Sequence, residues 1–187
     1  MDAAARARTT ALLETMGESD PDALDRLLPL VYDEIHAMAH RQLAGERSGH
    51  TLSTTALVHE AYFRLVDDTR VTRKGRAYFF AAAARAMRQV LVDHARRRRR
   101  AKRGGGAERI SLEAAEIAVA RFADELIDLN RALNELERLN ARHARVVECR
   151  FFAGLDVAET AEMLGVSPRT VKYDWALARA WLYDRLS

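Results

Sequence analysis

Six residues near the C-terminus combine positive charges, hydroxyl groups and an aromatic ring: Ser167, Arg169, Thr170, Lys172, Tyr173 and Arg179. Arginine can form paired hydrogen bonds with a guanine edge, worth about 1–3 kcal/mol of discrimination. The first turn of a recognition helix meets the bases, so Arg169, Thr170, Lys172 and Tyr173 are predicted to read them. Ser167 and Arg179 are better placed for phosphates. The predicted chemistry is non-covalent recognition of duplex DNA.

A second candidate region is strongly basic. Of the 187 residues, 1–69 carry 6 Lys/Arg and 12 Asp/Glu, 70–109 carry 14 and 2, and 110–187 carry 10 and 13. The net charges of the three segments are therefore −6, +12 and −3. Tyr78, Phe79 and Phe80 lie among the basic residues, and such rings can stack on unpaired bases. The middle segment is predicted to bind nucleic acid rather than to be a solvated tail.

No group of residues predicts catalysis or a metal site. His36 and His40 share a helix face, but no carboxylate stands at a matching step to complete a zinc site. Gly104-Gly105-Gly106 has no Gly-Lys-Ser/Thr after it, so a hinge is favoured over a phosphate loop. The single Cys149 cannot close an internal disulfide and is expected to pack in the core. We expect no enzyme activity, no metal and no cofactor.

Two helices joined by a tight turn must position the C-terminal side chains. Asp156 and Glu159 fit a capping box, and Ser167 and Pro168 fit the cap and first position of the next helix. One face of that helix is predicted to be buried through Val171, Trp175 and Ala178. Small and apolar residues stand where such helices cross, at Ala161, Gly165, Val166 and Val171. This spacing is typical of a helix-turn-helix.

The rest of the chain is predicted to be helical too. Apolar residues recur at steps of three and four over about 24–43, 54–66 and 77–98, and Thr54-Thr55 can cap the second of these helices. Shorter helices are expected at about 129–139 and 143–152. There is no sustained alternation that would indicate a sheet. The predicted fold class is all-α.

The basic run before the glycines sets the predicted domain boundary. Like charges from Arg96 to Arg103 repel, and three glycines weaken a helix, so this stretch is expected to leave the N-terminal bundle. We predict two small helical domains joined by a flexible linker. The segments are an extension at 1–20, a bundle at 21–100, a linker at 101–128 and a helix-turn-helix domain at 129–187.

With these residues in place, the chain resembles the extracytoplasmic-function (ECF) sigma factors of bacterial RNA polymerase. The stretch from Leu136 to Leu182 is similar to sigma region 4. ALVHEAYFRL resembles region 2.2, and GRAYFFAAAARAMRQVLVDHARRRRR resembles regions 2.3 and 2.4. The resemblance implies that region 2 docks on the polymerase clamp and melts the −10 element, while region 4 holds the −35 element.

The resemblance also assigns residues by their positions in the motifs. The clamp-binding helix would use Leu57, His59, Glu60 and Arg64. Phosphates of the −10 element would meet Arg73, Lys74 and Arg76, with Tyr78 and Phe79 near the melted strand. Promoter DNA would also face Arg85, Arg88 and Gln89.

The chain departs from the family pattern where acidic residues usually precede Leu-Val. Here Thr55-Ala56 takes their place, so phosphorylation is a candidate source of the missing charge. The acceptors would be Thr51, Ser53, Thr54 or Thr55. The alternative is that these hydroxyls only cap the helix. A second departure, near Ala86, leaves the preferred −10 sequence open.

The expected partners are core RNA polymerase and promoter DNA, under the control of an anti-sigma factor or a Ser/Thr protein kinase. The longest apolar stretch, at 77–84, is far shorter than the roughly 20 residues that cross a bilayer. We therefore expect a cytoplasmic protein with no membrane insertion, associated with the nucleoid when polymerase binds it. The alternative function is a stand-alone helix-turn-helix repressor or activator, which would dimerise on a palindrome.

Overall fold

A computed structural model of the chain describes residues 11, 23–44, 52–66, 75–104 and 114–187, and the structural statements below concern these residues. They form seven helices, one π-helical segment and no strand, which confirms the all-α prediction. The helices are α1 (Ala23–Leu43), α2 (Thr54–Val66), α3 (Gly75–Gly104), α4 (Ala114–Leu139), α5 (Ala141–Val147), α6 (Val157–Leu164) and α7 (Pro168–Leu186). The π-helical segment, Glu148–Phe152, follows α5 directly.

Helix α3 is longer than predicted and runs through the basic stretch to Gly104. The predicted end of this helix, at about residue 98, is therefore wrong. Successive helical residues point about 100° apart, so the charges spread around the axis instead of facing one another. Arg96, Arg97, Arg99 and Arg100 are exposed to water, where their mutual repulsion is screened. Arg99 also lies 3.9 Å from a carboxylate oxygen of Asp124 on α4.

Most of the predicted linker at 101–128 is helical. Helix α3 continues into it as far as Gly104, and α4 begins at Ala114. Residues 105–113, which include Gly105 and Gly106, lie outside the described residues. The division into two domains stays a prediction, because residues of both parts share one apolar core.

A single apolar core extends across the chain. The N-terminal half (α1, α2 and α3) contributes Leu27, Met38, Leu57, Phe79 and Met87, all of them nearly or fully buried. The C-terminal half (α4 to α7 with the π-helical segment) adds Leu133, Leu136, Phe152 and Ala178 to the same cluster. Burying one large apolar side chain contributes about 1.5–3 kcal/mol. The shared core therefore holds the two halves together.

The C-terminal half has the caps and the turn that its sequence predicts. The Asp156 side chain accepts from the Glu159 N–H, and the Glu159 carboxylate accepts from the Asp156 N–H, so the capping box is confirmed. Gly165 ends α6 with φ +64°, a left-handed conformation that favours glycine. Ser167 caps α7, and Pro168 is its first residue.

Candidate nucleic-acid interface

Helix α7 presents its first two turns to solvent. Arg169, Lys172 and Tyr173 are exposed, and the Tyr173 side chain is 64% accessible. Ser167 Oγ accepts a hydrogen bond from the Thr170 N–H at 3.1 Å and lies 2.9 Å from the Thr170 hydroxyl. This part of the predicted reading surface is therefore accessible, and two of its hydroxyls are already bonded to each other.

Arg179 lies two turns further along α7 and is also exposed. Its guanidinium carbon is 5.7 Å from the centre of the Trp175 ring, a distance at which a cation and an aromatic face attract. The Trp175 ring is half-buried against the core. Arg179 thus lies along the helix, away from the first turn, and its phosphate role stays a prediction.

A buried carboxylate anchors α7 to α5. Asp174 is fully buried, and its two oxygens accept hydrogen bonds from Arg142 Nε at 2.5 Å and Arg142 Nη2 at 3.2 Å. His143 Nε2 lies 3.4 Å from the same carboxylate. The hydrogen bond and charge of Asp174 raise the pKa of Arg142 above its ordinary value. The ion pair between Asp174 and Arg142 fixes the rotation of α7 about its axis and hence the direction in which its exposed residues point.

The pairing of Asp174 with Arg142 was not predicted from the sequence, although one signal indicated that Asp174 is buried. Asp174 stands on the stripe formed by Val171, Trp175 and Ala178, where a carboxylate would be buried. A buried carboxylate needs a hydrogen-bonding cation, and α5 carries several basic residues. The partner itself is 32 residues away in sequence, so the stripe alone does not identify it.

The basic residues of α3 do not form one exposed surface. Arg88 is 4% exposed and donates hydrogen bonds to Glu148, at 2.9 Å, and to Asn130. Burial lowers the pKa of Arg88, while the nearby Glu148 carboxylate acts in the opposite direction. An arginine keeps its charge under such conditions, so this is a buried ion pair. Arg88 therefore has no access to DNA in this conformation.

Arg76 and Arg85 face carboxylates as well. Arg76 Nη1 lies 2.9 Å from Glu159 Oε1 on α6, and its other terminal nitrogen bonds to Glu34 on α1. Arg85 is half-buried, with Glu148 at 3.8 Å and Glu137 at 3.7 Å. Arg76, predicted to contact phosphates, and Arg85, predicted to face promoter DNA, are thus paired with side-chain carboxylates.

The other predicted −10 residues are distributed between core and surface. Phe79 lies in the core with no accessible surface, so no face of its ring is available for stacking. Tyr78 is half-buried and Gln89 is exposed. Arg73 and Lys74 lie outside the described residues. The assignment of these residues to the −10 element stays a prediction.

A family comparison identifies the class of protein. The model of the ECF sigma factor family matches residues 6–187, which is nearly the whole chain. The chain belongs to the ECF sigma factors. No curated protein matches it. Membership gives this sigma factor a role in transcription initiation, and the family implies binding to core RNA polymerase and promoter DNA. It therefore favours initiation over the stand-alone repressor.

Helix α2 of the sigma factor has an exposed face that includes part of the predicted clamp-binding set. His59 and Glu60 are exposed, and Arg64 is paired with Asp93 of α3 at 2.9 Å. Leu57 is fully buried in the core, so it supports the helix and offers no surface to polymerase in this structure. Phe63, which is not in the predicted clamp-binding set, is 70% exposed on the same face.

The predicted phosphate acceptors lie at the start of α2. Ser53 is the cap, because its Oγ accepts a hydrogen bond from the Ala56 N–H at 3.1 Å, so the expectation that Thr54-Thr55 caps the helix is wrong. Thr54 is half-buried and Thr55 is exposed. No acidic residue stands in the first turn of α2. Thr51 lies outside the described residues.

The described residues contain no group of three His, Cys, Asp or Glu side chains that could hold a metal ion. His36 and His40 are one helical turn apart on α1, where His36 packs beside Tyr32 at 5.8 Å between ring centres. In the same described ranges, no helix is both long and apolar enough to cross a membrane.

Proposed function

We propose that this ECF sigma factor carries core RNA polymerase to promoters by using α7 on the −35 element, α3 on the −10 element and α2 on the polymerase clamp. The observation that carries the proposal is the α7 surface. Exposed Arg169, Lys172 and Tyr173 stand on a helix that the buried Asp174 anchors from below. A helix held from beneath, with cations at its N-terminal end, has the form that enters a major groove.

The surface on α2 supports a separate role in polymerase binding. Phe63 is exposed to water beside Glu60 and His59, an arrangement of one large ring among polar groups that is typical of a protein interface. The Arg64 pair with Asp93 ties this face to α3, so docking of α2 would also position the −10 residues. We therefore place the polymerase contact on the surface of α2 around residues 59–64.

Co-elution of the purified chain with core RNA polymerase tests the polymerase contact. Phe63→Ala and Glu60→Arg are expected to abolish co-elution, while Glu125→Arg on the exposed surface of α4 serves as the matched control and should leave it intact. Run-off transcription with the recovered complexes then measures initiation. Co-elution of every variant at wild-type strength would remove α2 from the proposal.

Phosphorylation near the start of α2 is the finer part of the proposal. A phosphate on Thr55 would lie in the first turn of α2, where the helix dipole favours negative charge. It would also supply charge at the place where relatives carry acidic residues. The exposure of Thr55 gives a kinase access, and the Ser53 cap leaves the helix start intact. Capping without phosphorylation is the alternative.

The phosphorylation and capping hypotheses predict different results for substitutions at Thr54 and Thr55. If phosphorylation licenses polymerase binding, the Thr54→Glu/Thr55→Glu variant should co-elute with core polymerase, and the unmodified wild type should not. A Thr54→Ala/Thr55→Ala variant should be inactive in cells. Full activity of the alanine variant would leave these hydroxyls only the capping role that Ser53 performs, and control would then fall to a separate anti-sigma partner.

A further inference from the structure

Two adjoining cavities open between the two halves of the chain. One has a volume of about 360 Å³ and the other of about 300 Å³, sizes that suit a small molecule. Their walls share Arg64, Arg85 and Gln89, so the two cavities form one continuous space, which we call the arginine cleft. Helices α2 and α3 of the N-terminal half and α4 of the C-terminal half all contribute to it.

The arginine cleft carries an excess of positive charge. Arginines from both halves line it, namely Arg64, Arg85, Arg88, Arg96 and Arg145. Among the described residues, three carboxylates lie 2.9–3.9 Å from these guanidinium groups, those of Asp93, Glu137 and Glu148. Five guanidinium groups against three carboxylates leave two positive charges without compensation. The cleft therefore favours an anionic ligand.

Arg88 has one buried hydrogen-bond donor left over. Its side chain is 5% accessible, and its two terminal nitrogens bond to Glu148 and Asn130. Its Nε is also buried and has no hydrogen-bond partner in the part of the chain that the structure describes. A buried donor without an acceptor is unfavourable, and Arg88 forms part of the wall of the smaller cavity. An oxygen atom of a bound anion is a suitable acceptor there.

The smaller cavity suits phosphate groups. Arg85, Gln89 and Arg96 stand at steps of four and seven on α3, so they share one face of the helix. Asn130 and Asn134, one turn apart on α4, line the opposite wall. Guanidinium and amide N–H groups all donate hydrogen bonds, and the planar guanidinium matches the geometry of phosphate oxygens.

The larger cavity suits a nucleobase. Its wall includes the half-buried Tyr78 ring and the aliphatic side chains of Leu65, Ala82 and Met163. Aromatic rings stack on nucleobases of every kind. Between Tyr78 and Arg85, α3 rises by about 10 Å, which leaves room for a base at one end of the cleft and phosphates at the other.

We propose that the arginine cleft binds one nucleoside triphosphate, with the base beside Tyr78 and the phosphates among Arg64, Arg85 and Arg96. The ligand contacts both halves of the chain, so its binding stabilises the fold. It also covers Arg85 and Gln89, which are predicted to face promoter DNA, and would withhold them from the −10 element. That consequence rests on the proposed function, whereas the binding site does not.

Isothermal titration calorimetry of the full chain with ATP tests the site. The buffer contains about 150 mM salt, which screens exposed charges, and no divalent cation. Adenosine and tripolyphosphate are titrated separately as the two parts of the ligand. The test variant Arg85→Gln/Arg96→Gln removes two cations from the wall of the cleft. The matched control Arg97→Gln/Arg100→Gln changes the net charge equally at two exposed positions of the same helix.

The wild type should bind one ATP per chain, with saturation below about 1 mM. Adenosine and tripolyphosphate should each bind at least about tenfold more weakly than ATP. The test variant should lose about tenfold in affinity for ATP, and the control should stay within about twofold of wild type. The absence of saturable ATP binding, or equal losses in the two variants, overturns the proposal. Tripolyphosphate or adenosine binding as tightly as ATP overturns the assignment of a nucleotide.

A second variant keeps the test decisive if Arg85→Gln/Arg96→Gln does not fold, as judged by circular dichroism. Asn134→Glu places a carboxylate in the smaller cavity from an exposed position of α4, where it would repel phosphates. Ala141→Glu, at the exposed start of α5, changes the net charge by the same amount outside the cleft. Asn134→Glu should weaken ATP binding about tenfold relative to Ala141→Glu. Equal affinities of these two variants overturn the proposal.

Polymerase binding separates this proposal from the proposed function. A wild type that co-elutes with core polymerase but does not bind ATP retains the function and loses the nucleotide site. A wild type that binds ATP with the expected differences among the variants, but never co-elutes with polymerase, retains the nucleotide site and loses the function.

Discussion

Arg142 on α5 and Asp174 on α7 form a bidentate ion pair in which Arg142 is half exposed and Asp174 is buried. The Arg142 side chain is 50% accessible, whereas that of Asp174 is 1% accessible. Asp174 therefore depends on Arg142 for its hydrogen bonds, with His143 Nε2 3.4 Å away, while Arg142 can turn to water. The pair makes the orientation of α7 depend on a residue that is not in α7.

Replacing Asp174 should therefore cost more than replacing an exposed carboxylate of the same helix. We expect Asp174→Ala to lower the free energy of unfolding by about 2–3 kcal/mol, because a buried hydrogen-bonded group is lost and a small cavity remains. Asp184→Ala, at an exposed position of α7, should stay within about 0.5 kcal/mol of wild type. Urea unfolding followed by circular dichroism measures both. A loss of the same size in the two variants would show that Asp174 is not an anchor.

Alanine substitutions of the exposed cations of α7 should separate a loss of sequence discrimination from a loss of general affinity for DNA. In reconstituted holoenzyme, Arg169→Ala is expected to lose about 1–3 kcal/mol of preference between promoter and mutated −35 sequences. Arg179→Ala, at the exposed residue predicted to contact phosphates, should weaken binding to all sequences alike and reduce the salt dependence by about one charge. Competition binding at several salt concentrations measures both quantities. Arg131→Ala, at an exposed position of α4, is the control and should change neither the sequence preference nor the salt dependence.

The C-terminal helices were predictable from sequence because their ends depend on local chemistry. Asp156, Glu159, Gly165, Ser167 and Pro168 occupy the cap and turn positions that their side chains favour, and the structure has them there. Each of these preferences acts over at most three or four residues. Local rules therefore gave the boundaries of α6 and α7 without knowledge of the tertiary fold.

The pairing of Arg88 with Glu148 could not be predicted in the same way. The two residues are 60 positions apart, and a basic helix in a chain with a DNA-binding motif indicates an exposed surface. The predicted end of α3 was wrong for a related reason, because water screens the repulsion among the charges of 96–103 and the helix continues to Gly104. Charge patterns show how much charge a segment carries, but only the tertiary fold shows whether carboxylates from other segments pair with that charge.

The cap of α2 allows the roles of neighbouring hydroxyls to be told apart by stability. Ser53→Ala removes the oxygen that accepts from the Ala56 N–H, so we expect a loss of about 1 kcal/mol in the free energy of unfolding. Thr55→Ala, at an exposed helical position, should be neutral or slightly stabilising because alanine is the better helix former. Thermal unfolding of the unmodified proteins gives the comparison. A larger loss at Thr55 than at Ser53 would reverse the assignment of the cap.

The buried thiol of Cys149 should make the stability of the fold sensitive to alkaline pH. Burial is the main cause that raises the pKa of Cys149 from 9.0 to about 12, with the nearby Glu148 carboxylate acting in the same direction. Because the folded pKa is the higher one, the neutral thiol stabilises the fold below about pH 9, and this contribution is lost as the pH rises toward about 12. We expect the wild type to lose stability between these values more steeply than Cys149→Ala, in urea unfolding measured at a series of pH values. The two proteins differ only at residue 149, so the difference between the two curves isolates the thiol. Parallel curves, or rapid labelling of native Cys149 by a thiol reagent at pH 8, would contradict a buried, protonated side chain.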